Sequence, residues 1–253
     1  EPQEVPDDFA DACRAAQAGS REELGEYLEC FAEGVCPPWA VLAITFTNKA
    51  AREIKERLAK ALDDPTAADA VWAGTFHSVC MRILRSHIGL LGYKPGFSIY
   101  DTDDQKKAIA RCMKDMNLDD KKFPPKSMLN MIGRAKDRLM TPKDMQEENT
   151  ADYLWSVAAK VYARYQEELV QANALDFDDI IMLTVRLFEE NPDILEYYQH
   201  KFKHVCVDEY QDTNYAQFRL TEMLAGHWRN IMVVGDDDQS IYKFRGATIE
   251  NIL

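Results

Sequence analysis

The chain has 253 residues, of which 46% are hydrophobic, a share typical of globular proteins and too high for a disordered chain. Its 30 Lys and Arg residues and 43 Asp and Glu residues give a formal net charge of −13. This balance excludes proteins that coat nucleic acid with bulk positive charge, and it argues against an anionic membrane surface as partner. A local basic groove is still compatible with it.

The cysteines and the apolar runs indicate the compartment. The six cysteines form no C-x-x-C pair, which argues against a zinc site or a disulfide framework. The longest apolar run, at about 40–46, is much shorter than the roughly 18 residues that span a bilayer. The N-terminus also lacks the basic and apolar regions of a signal peptide. We therefore expect reduced cysteines, a cytoplasmic location and no membrane partner.

Residues 1–38 are predicted to be a separate acidic segment. Residues 1–30 carry nine acidic and two basic side chains, a net of −7, so much of the acidity lies at one end. Cys36-Pro-Pro38 predicts a break before the first strand, because Pro-Pro stops a helix. The chain does not begin with Met, which favours an excised or processed piece. An acidic segment of this kind could bind a protein partner.

Four short apolar runs predict a parallel sheet. Residues 41–46, 204–207 and 230–234 are almost continuously hydrophobic, as in strands buried on both faces, and 70–73 is a fourth candidate. Polar residues that favour helix starts follow three of them: Thr47-Asn48, Thr75 and Thr213-Asn214. The helices are expected at 49–62, 76–87 and 215–224. This alternation predicts an α/β fold.

Between about 89 and 175 the pattern changes to long helical periods. Asp101 is a strong helix start, and residues 151–172 carry an amphipathic stripe that includes Tyr153, Leu154, Val157, Val161 and Leu169. We therefore predict an acidic segment at 1–38, an α/β domain at 39–88 and 176–253, and a helical subdomain at 89–175 inserted into it. Basic residues of this insert are candidates for duplex or backbone contacts, although a solvated helix face explains most of them better: Lys106, Lys107, Lys121, Lys122, Lys126, Arg134, Lys136, Arg138 and Lys143.

Two adjacent carboxylates, Asp208 and Glu209, follow the predicted strand at 204–207. The carboxyl edge of an open α/β sheet is where ligands bind. One carboxylate could hold Mg²⁺ while its neighbour polarises a water molecule, as nucleotide hydrolysis requires. A solvated acidic turn or a helix cap is the alternative.

The string from Gly235 to Ala247 follows another strand and combines an amide, two aromatic residues and an arginine. Gln239 could bind a phosphate oxygen, and Tyr242 and Phe244 could stack on unstacked bases. The alternative is that both aromatic residues belong to the core of a short helix.

Together these strings resemble the UvrD/Rep family of superfamily-1 DNA helicases. The resemblance rests on Val207-Asp-Glu-Tyr-Gln-Asp-Thr213, Gly235-Asp-Asp-Asp-Gln-Ser-Ile-Tyr-Lys-Phe-Arg-Gly-Ala247, Ala43-Ile-Thr-Phe-Thr-Asn-Lys-Ala-Ala51 and Gly74-Thr-Phe-His-Ser78, and covers about residues 40–253. It implies a RecA-like (P-loop NTPase type) parallel sheet flanked by helices and interrupted by an all-helical subdomain. It also implies an ATP-dependent helicase, active in DNA repair or replication, that moves 3′ to 5′ on single-stranded DNA and unwinds duplex.

The resemblance implies a role for each matched residue. Asp208 would hold Mg²⁺, Glu209 would activate the attacking water, and Gln239 would face the γ-phosphate of ATP. The implied partners are single-stranded DNA and junctions between single and double strands. The family's DNA-contacting segments match the following residues: Phe46, Thr47, Asn48, Thr75, Phe76, His77, Tyr242, Phe244 and Arg245. From the residues alone, Phe46, Phe76 and His77 could equally be structural.

The chain departs from the family pattern at the phosphate-binding loop. No Gly-Lys-Ser or Gly-Lys-Thr occurs in the 253 residues, although the loop's Lys normally reaches the β- and γ-phosphates. We therefore expect the isolated chain to hydrolyse ATP at no more than background. Two alternatives stay open: a non-catalytic DNA-binding or protein-interaction relative that has lost the loop, and the helicase lobe of a helicase–nuclease.

Overall fold

The computed structural model describes residues 36–148 and 152–236. The strands are β1 (Val41–Thr45), β2 (Trp72–Thr75), β3 (Ser98–Ile99), β4 (Ala174–Leu175), β5 (His204–Val207) and β6 (Ile231–Val233). The helices are α1 (Asn48–Leu62), α2 (Pro65–Ala70), α3 (Phe76–His87), α4 (Thr102–Asp115), α5 (Pro125–Asp137), α6 (Pro142–Glu148), α7 (Tyr153–Gln171), α8 (Phe177–Glu190), α9 (Pro192–Lys201) and α10 (Tyr215–Ala225). Among these residues, no helix combines the length and apolar character needed to cross a membrane.

The main sheet is parallel, with the strand order β2-β1-β5-β6. Four of the five residues of β1 are buried, and Leu42 pairs in register with Trp72 on one side and Val205 on the other. Burial of consecutive residues on both faces is what a central parallel strand requires. The prediction of a parallel sheet flanked by helices is confirmed.

The edge strand β6 differs from its prediction. Its three residues are exposed, whereas the apolar run at 230–234 predicted burial on both faces. Within the described part of the chain, β6 pairs only with β5 and lies at the edge of the sheet. Hydrophobicity alone cannot distinguish an edge strand from a central one.

Local capping explains where the helices around the sheet begin. The side chain of Thr47 accepts a hydrogen bond from the Ala50 N–H at 3.1 Å at the start of α1. The side chain of Thr75 accepts one from the Ser78 N–H at 3.2 Å at the start of α3. Each oxygen satisfies a backbone donor that the first turn leaves unpaired. The predicted starts of these helices are therefore correct to within one residue.

The helical insert has its own hydrophobic core. Helices α4, α5 and α7 pack against one another around buried residues that include Ile109, Met128, Val161 and Leu169. The short strands β3 and β4 pair in parallel where the chain leaves and re-enters the sheet domain.

Two predictions about secondary structure need correction. The stripe at 151–172 is correct from Val157 onward, but Tyr153 and Leu154 are exposed. Strand β2 begins two residues later than the predicted run at 70–73, because Asp64 caps a short helix, α2, that uses Ala70.

Candidate nucleotide and nucleic-acid sites

The carboxyl ends of the strands bring the conspicuous sequence strings to one edge of the sheet. Phe46 follows β1, Phe76 follows β2 and Asp208 follows β5. The Asp208 N–H donates to the Ile44 carbonyl at 2.9 Å, which fixes this carboxylate residue beside the end of β1. Ligands of open α/β sheets bind at this edge.

The pair Asp208-Glu209 lies on a sharply turned backbone. Asp208 is half-buried and Glu209 is exposed. Glu209 has φ 53° and ψ 41°, a left-handed conformation that residues with a Cβ rarely adopt. The next residue, Tyr210, donates its N–H to the Val234 carbonyl at 2.9 Å. Such strained backbone is concentrated at functional sites, so the conformation of Glu209 marks this turn as a candidate functional site.

The donor set at this turn fits Mg²⁺. This ion is usually held by one or two protein carboxylates and completes its shell with water and substrate phosphate oxygens. Asp208 supplies one hard oxygen group directly after β5, at the ligand-binding edge of the sheet. The donor set therefore fits a metal site that is shared with water and substrate phosphate.

Sequence reasoning missed Gln211, which is buried directly behind the carboxylate pair. Its Nε2 donates to Glu209 Oε2 at 2.6 Å, and its Oε1 accepts from the Asp236 N–H at 3.1 Å. Gln211 is 1% exposed. The signal that could have identified it is an amide two residues after a candidate catalytic carboxylate.

The residues that follow connect the turn to the helical insert. Burial raises the pKa of Asp212, and the charge of Glu209 adds to the shift. Asp212 Oδ1 is buried without a hydrogen-bond partner. Asn214 caps α10, and its Nδ2 donates to Asp137 Oδ1 at 2.6 Å at the end of α5. The turn after β5 is thus hydrogen-bonded directly to the insert.

The aromatic residues after β1 and β2 have different environments. Phe46 is half-buried and meets Phe76 edge-on, with ring centroids 5.5 Å apart. Phe76 is 2% exposed and belongs to the core of the sheet domain. The Phe76 side chain therefore supports Phe46 from the core, and its predicted contact with DNA stays a prediction.

His77 lies against the beginning of α8. Its ring centroid is 4.7 Å from that of Phe177. Burial lowers the pKa of His77, while a hydrogen bond with the Phe177 backbone opposes the shift. The ring is therefore neutral at pH 7 and can serve as a hydrogen-bonding or stacking group but not as a cation.

A cleft of about 740 Å³ opens between the sheet edge and the insert. Phe46 and His77 line it from the sheet domain, Asn130 and Arg134 from α5, and Asp212 from the turn after β5. Thr47 and Asn48 lie exposed at the start of α1, beside this edge. Backbone N–H groups at helix N-termini are ready-made contacts for phosphates. Of the predicted DNA-contacting residues, Phe46, Phe76 and His77 line this cleft.

The junction between insert and sheet domain contains a buried cluster of charges. Lys136 Nζ lies 2.7 Å from Asp176 Oδ2 and 2.8 Å from Asp179 Oδ1, and all three side chains are at most 1% exposed. Burial alone would lower the pKa of Lys136, but the charges of the two aspartates raise it above its ordinary value. Burial raises the pKa of Asp179 to about 6, and Asp176 adds to the shift while Lys136 opposes it.

The duplex-contact role predicted for Lys136 is therefore wrong, because its ammonium group is sealed within the fold. Other basic residues of the insert are exposed but form surface ion pairs: Lys106 with Asp103, Arg138 with Glu148 and Lys143 with Glu147. Lys121 and Lys122 are exposed at the turn before α5.

Four predicted site residues, Gln239, Tyr242, Phe244 and Arg245, lie outside the described residues, as does most of the acidic segment at 1–38.

Comparison with known proteins agrees with the fold. The chain is 52% identical over 216 residues to the ATP-dependent DNA helicase PcrA of Staphylococcus aureus (strain Mu50), covering 85% of this chain and 29% of that protein. It is 50% identical over 222 residues to the protein of the same name from Bacillus subtilis (strain 168), covering 88% of this chain and 30% of that protein. The chain thus spans less than a third of these relatives. The family model for the UvrD/REP helicase N-terminal domain matches residues 24–253, so the chain belongs to this family.

Proposed function

We propose that this chain is the N-terminal motor segment of an ATP-dependent DNA helicase that moves 3′ to 5′ along single-stranded DNA and unwinds duplex at junctions. The observation that carries the proposal is the Asp208-Glu209 pair at the carboxyl edge of a parallel sheet. The relatives named ATP-dependent DNA helicase support it, since about half of the aligned residues are identical to theirs.

The nucleotide half of the site would use the turn after β5. Asp208 would supply an oxygen ligand to Mg²⁺, and Glu209 would accept the proton of the attacking water. When bound, Mg²⁺ neutralises charge on the phosphate oxygens. Gln239 would contact the γ-phosphate.

The DNA half would use the cleft and the two helix starts beside it. Phe46 offers an aromatic edge at the mouth of the cleft, and Thr47, Asn48 and Thr75 lie at the N-termini of α1 and α3. Stacking and phosphate contacts of this kind are tolerant of base sequence, as a translocating motor requires. Tyr242, Phe244, Arg245 and the neutral His77 would complete the contacts.

Replacing Glu209 in the full-length protein tests the nucleotide half. Glu209→Gln should lower DNA-stimulated ATP hydrolysis by about 10²- to 10⁴-fold, because it removes the general base. Binding of a labelled single strand should be unchanged. Glu196→Gln on α9 is the matched control, since Glu196 is exposed and does not line the cleft, and it should retain full hydrolysis. Full hydrolysis by Glu209→Gln would contradict the proposal.

A non-catalytic DNA-binding role is the second candidate, because the 253 residues contain no Gly-Lys-Ser or Gly-Lys-Thr. The isolated chain should hydrolyse ATP only at background under either proposal. The full-length protein separates the two: ATP hydrolysis stimulated by single-stranded DNA favours the helicase, and DNA binding without hydrolysis favours the second candidate.

A further inference from the structure

We infer that Gln211 is a positioning residue that holds the carboxylate of Glu209 in its working orientation. This inference rests on the proposed role of Glu209 as the group that activates water. Gln211 lies in the single turn Tyr210–Asp212 that follows β5 and is 1% exposed, whereas Glu209 is exposed. A fixed side chain thus lies against one that would otherwise be free to change rotamer.

The amide of Gln211 is used at both of its ends. Nε2 donates to Glu209 Oε2 at 2.6 Å, and Oε1 accepts from the Asp236 N–H at 3.1 Å. An ionised carboxylate can only accept and a backbone N–H can only donate, so the orientation of the amide is determined by its partners. An ionised carboxylate could not donate to Glu209, and an apolar side chain could make neither contact. The contact with Glu209 is charge-assisted and short, which makes it the stronger of the two.

Backbone conformation and a neighbouring charge both explain why Glu209 requires a donor. The backbone of Glu209 is left-handed, with φ 53°. Its charge contributes to the raised pKa of Asp212, so the two carboxylates repel each other. Without the Nε2 donor, no described side chain supplies a hydrogen bond to the Glu209 carboxylate.

Gly235, which lies two residues after the end of β6, leaves room for this arrangement. A Cβ on Gly235 would lie 2.6 Å from Gln211 Oε1 and 3.3 Å from Gln211 N. Only a residue without a side chain therefore allows the amide to reach Asp236. Strand β6 ends at Val233, and Asp236 lies in the segment that follows it. Through Asp236, Gln211 connects the Glu209 carboxylate to this segment. The segment that carries Gln239 begins there.

Hydrolysis by the full-length protein provides the first test. Gln211→Glu keeps an acceptor for Asp236 but replaces the donor that faces Glu209. At pH 8 its kcat should fall about 10- to 100-fold, with the KM for ATP unchanged, because the base is misplaced and binding is not. At pH 6 the loss should shrink, since an introduced carboxyl beside another carboxylate retains its proton and can donate.

Gln211→Met is the matched variant, because it removes both polar ends at similar length. Its loss of kcat should be the same at pH 6 and pH 8. If Gln211 only braced the loop through Asp236, Gln211→Glu would retain full kcat at pH 8, and that result would overturn the inference. Should Glu209→Gln itself retain full hydrolysis, the proposed role of Glu209 fails. Should Glu209→Gln be inactive while both Gln211 variants remain fully active, only the present inference fails.

A measurement without catalysis provides the second test. In the ¹⁵N-labelled 253-residue chain, the side-chain NH₂ of Gln211 should exchange its protons at least about tenfold more slowly than that of exposed Gln171. Its resonance should move in Glu209→Gln and not in Glu196→Gln. Exchange as fast as that of Gln171, or a resonance that ignores Glu209→Gln, would overturn the inference even if an engineered variant failed to fold.

Discussion

Replacing Lys136 by Met should be strongly destabilising, because it leaves buried carboxylates without their counter-ion. The ammonium group lies 2.7 Å and 2.8 Å from the carboxylates of Asp176 and Asp179, and none of the three side chains exceeds 1% exposure. Both aspartates also form the capping box that begins α8. The perturbation therefore acts on the junction that attaches the insert to the sheet domain.

The size of the effect follows from this geometry. With an effective dielectric constant of about 20, each contact at this distance has a Coulomb attraction of about 6 kcal/mol. The desolvation of three charges offsets most of that attraction in the intact cluster, at a cost of several kcal/mol per ion. Removal of the cation abolishes the attraction but leaves the aspartates buried. The expected loss in the free energy of unfolding is about 3–5 kcal/mol at pH 7.5.

The pH dependence gives the argument a second check. Asp179 has a raised pKa, about 6, in the folded chain, so its protonation in Lys136→Met relieves the repulsion as the pH falls. The stability that such a group contributes is present at low pH and is lost as the pH rises from about 4 through about 6. The loss caused by Lys136→Met should therefore be smaller at pH 5 than at pH 7.5.

Urea denaturation of the 253-residue chain, followed by tryptophan fluorescence, measures these differences. Arg138→Met is the matched control: it breaks the ion pair with Glu148, in which both side chains are at least one-third exposed, and should cost less than about 1 kcal/mol. The triple variant Lys136→Met, Asp176→Asn, Asp179→Asn should recover most of the loss, because the cation and both of its counter-ions are removed together and Asn still caps α8. A loss for Lys136→Met no larger than that for Arg138→Met would refute the reasoning.

Three further predictions concern the cleft and its borders. Burial raises the pKa of Asp178 to about 6, so the folded chain holds this proton more tightly than the unfolded chain. Asp178→Asn should therefore raise the free energy of unfolding by about 1–3 kcal/mol at pH 7.5 and change it little at pH 4. Equal effects at both pH values in urea titrations would contradict this. Thr47→Ala removes the cap of α1 and should cost about 1 kcal/mol in the same assay, and no loss would show that the cap is dispensable. Phe46→Ala in the full-length protein should weaken single-strand binding by about 1–3 kcal/mol, measured by fluorescence anisotropy. Phe76→Ala should chiefly lower the free energy of unfolding, by about 3–5 kcal/mol. The reverse pattern would show that Phe46 is the core residue of the two.

Much of the fold could be predicted from local signals. The continuous apolar runs identified β1 and β5, and the polar residues after β1 and β2 marked the starts of α1 and α3. These signals work because capping and strand hydrophobicity depend on residues that are close together in the chain. The motif strings likewise pointed to Asp208 and Glu209, since carboxylates at the end of a buried strand meet at the ligand-binding edge.

The tertiary structure decided the environments that no local pattern contains. In the sequence, Lys136 resembles the other candidate basic residues of the insert, which are exposed. It is nevertheless buried, because α5 packs against α8. Phe46 and Phe76 look alike in the sequence, but only Phe76 is enclosed by the core. The role of Gln211 depends on Asp236, 25 residues away along the chain. The physical reason is the same in each case: burial and hydrogen-bond partners are set by contacts between distant segments, and these contacts form only when the whole sheet and its insert are assembled.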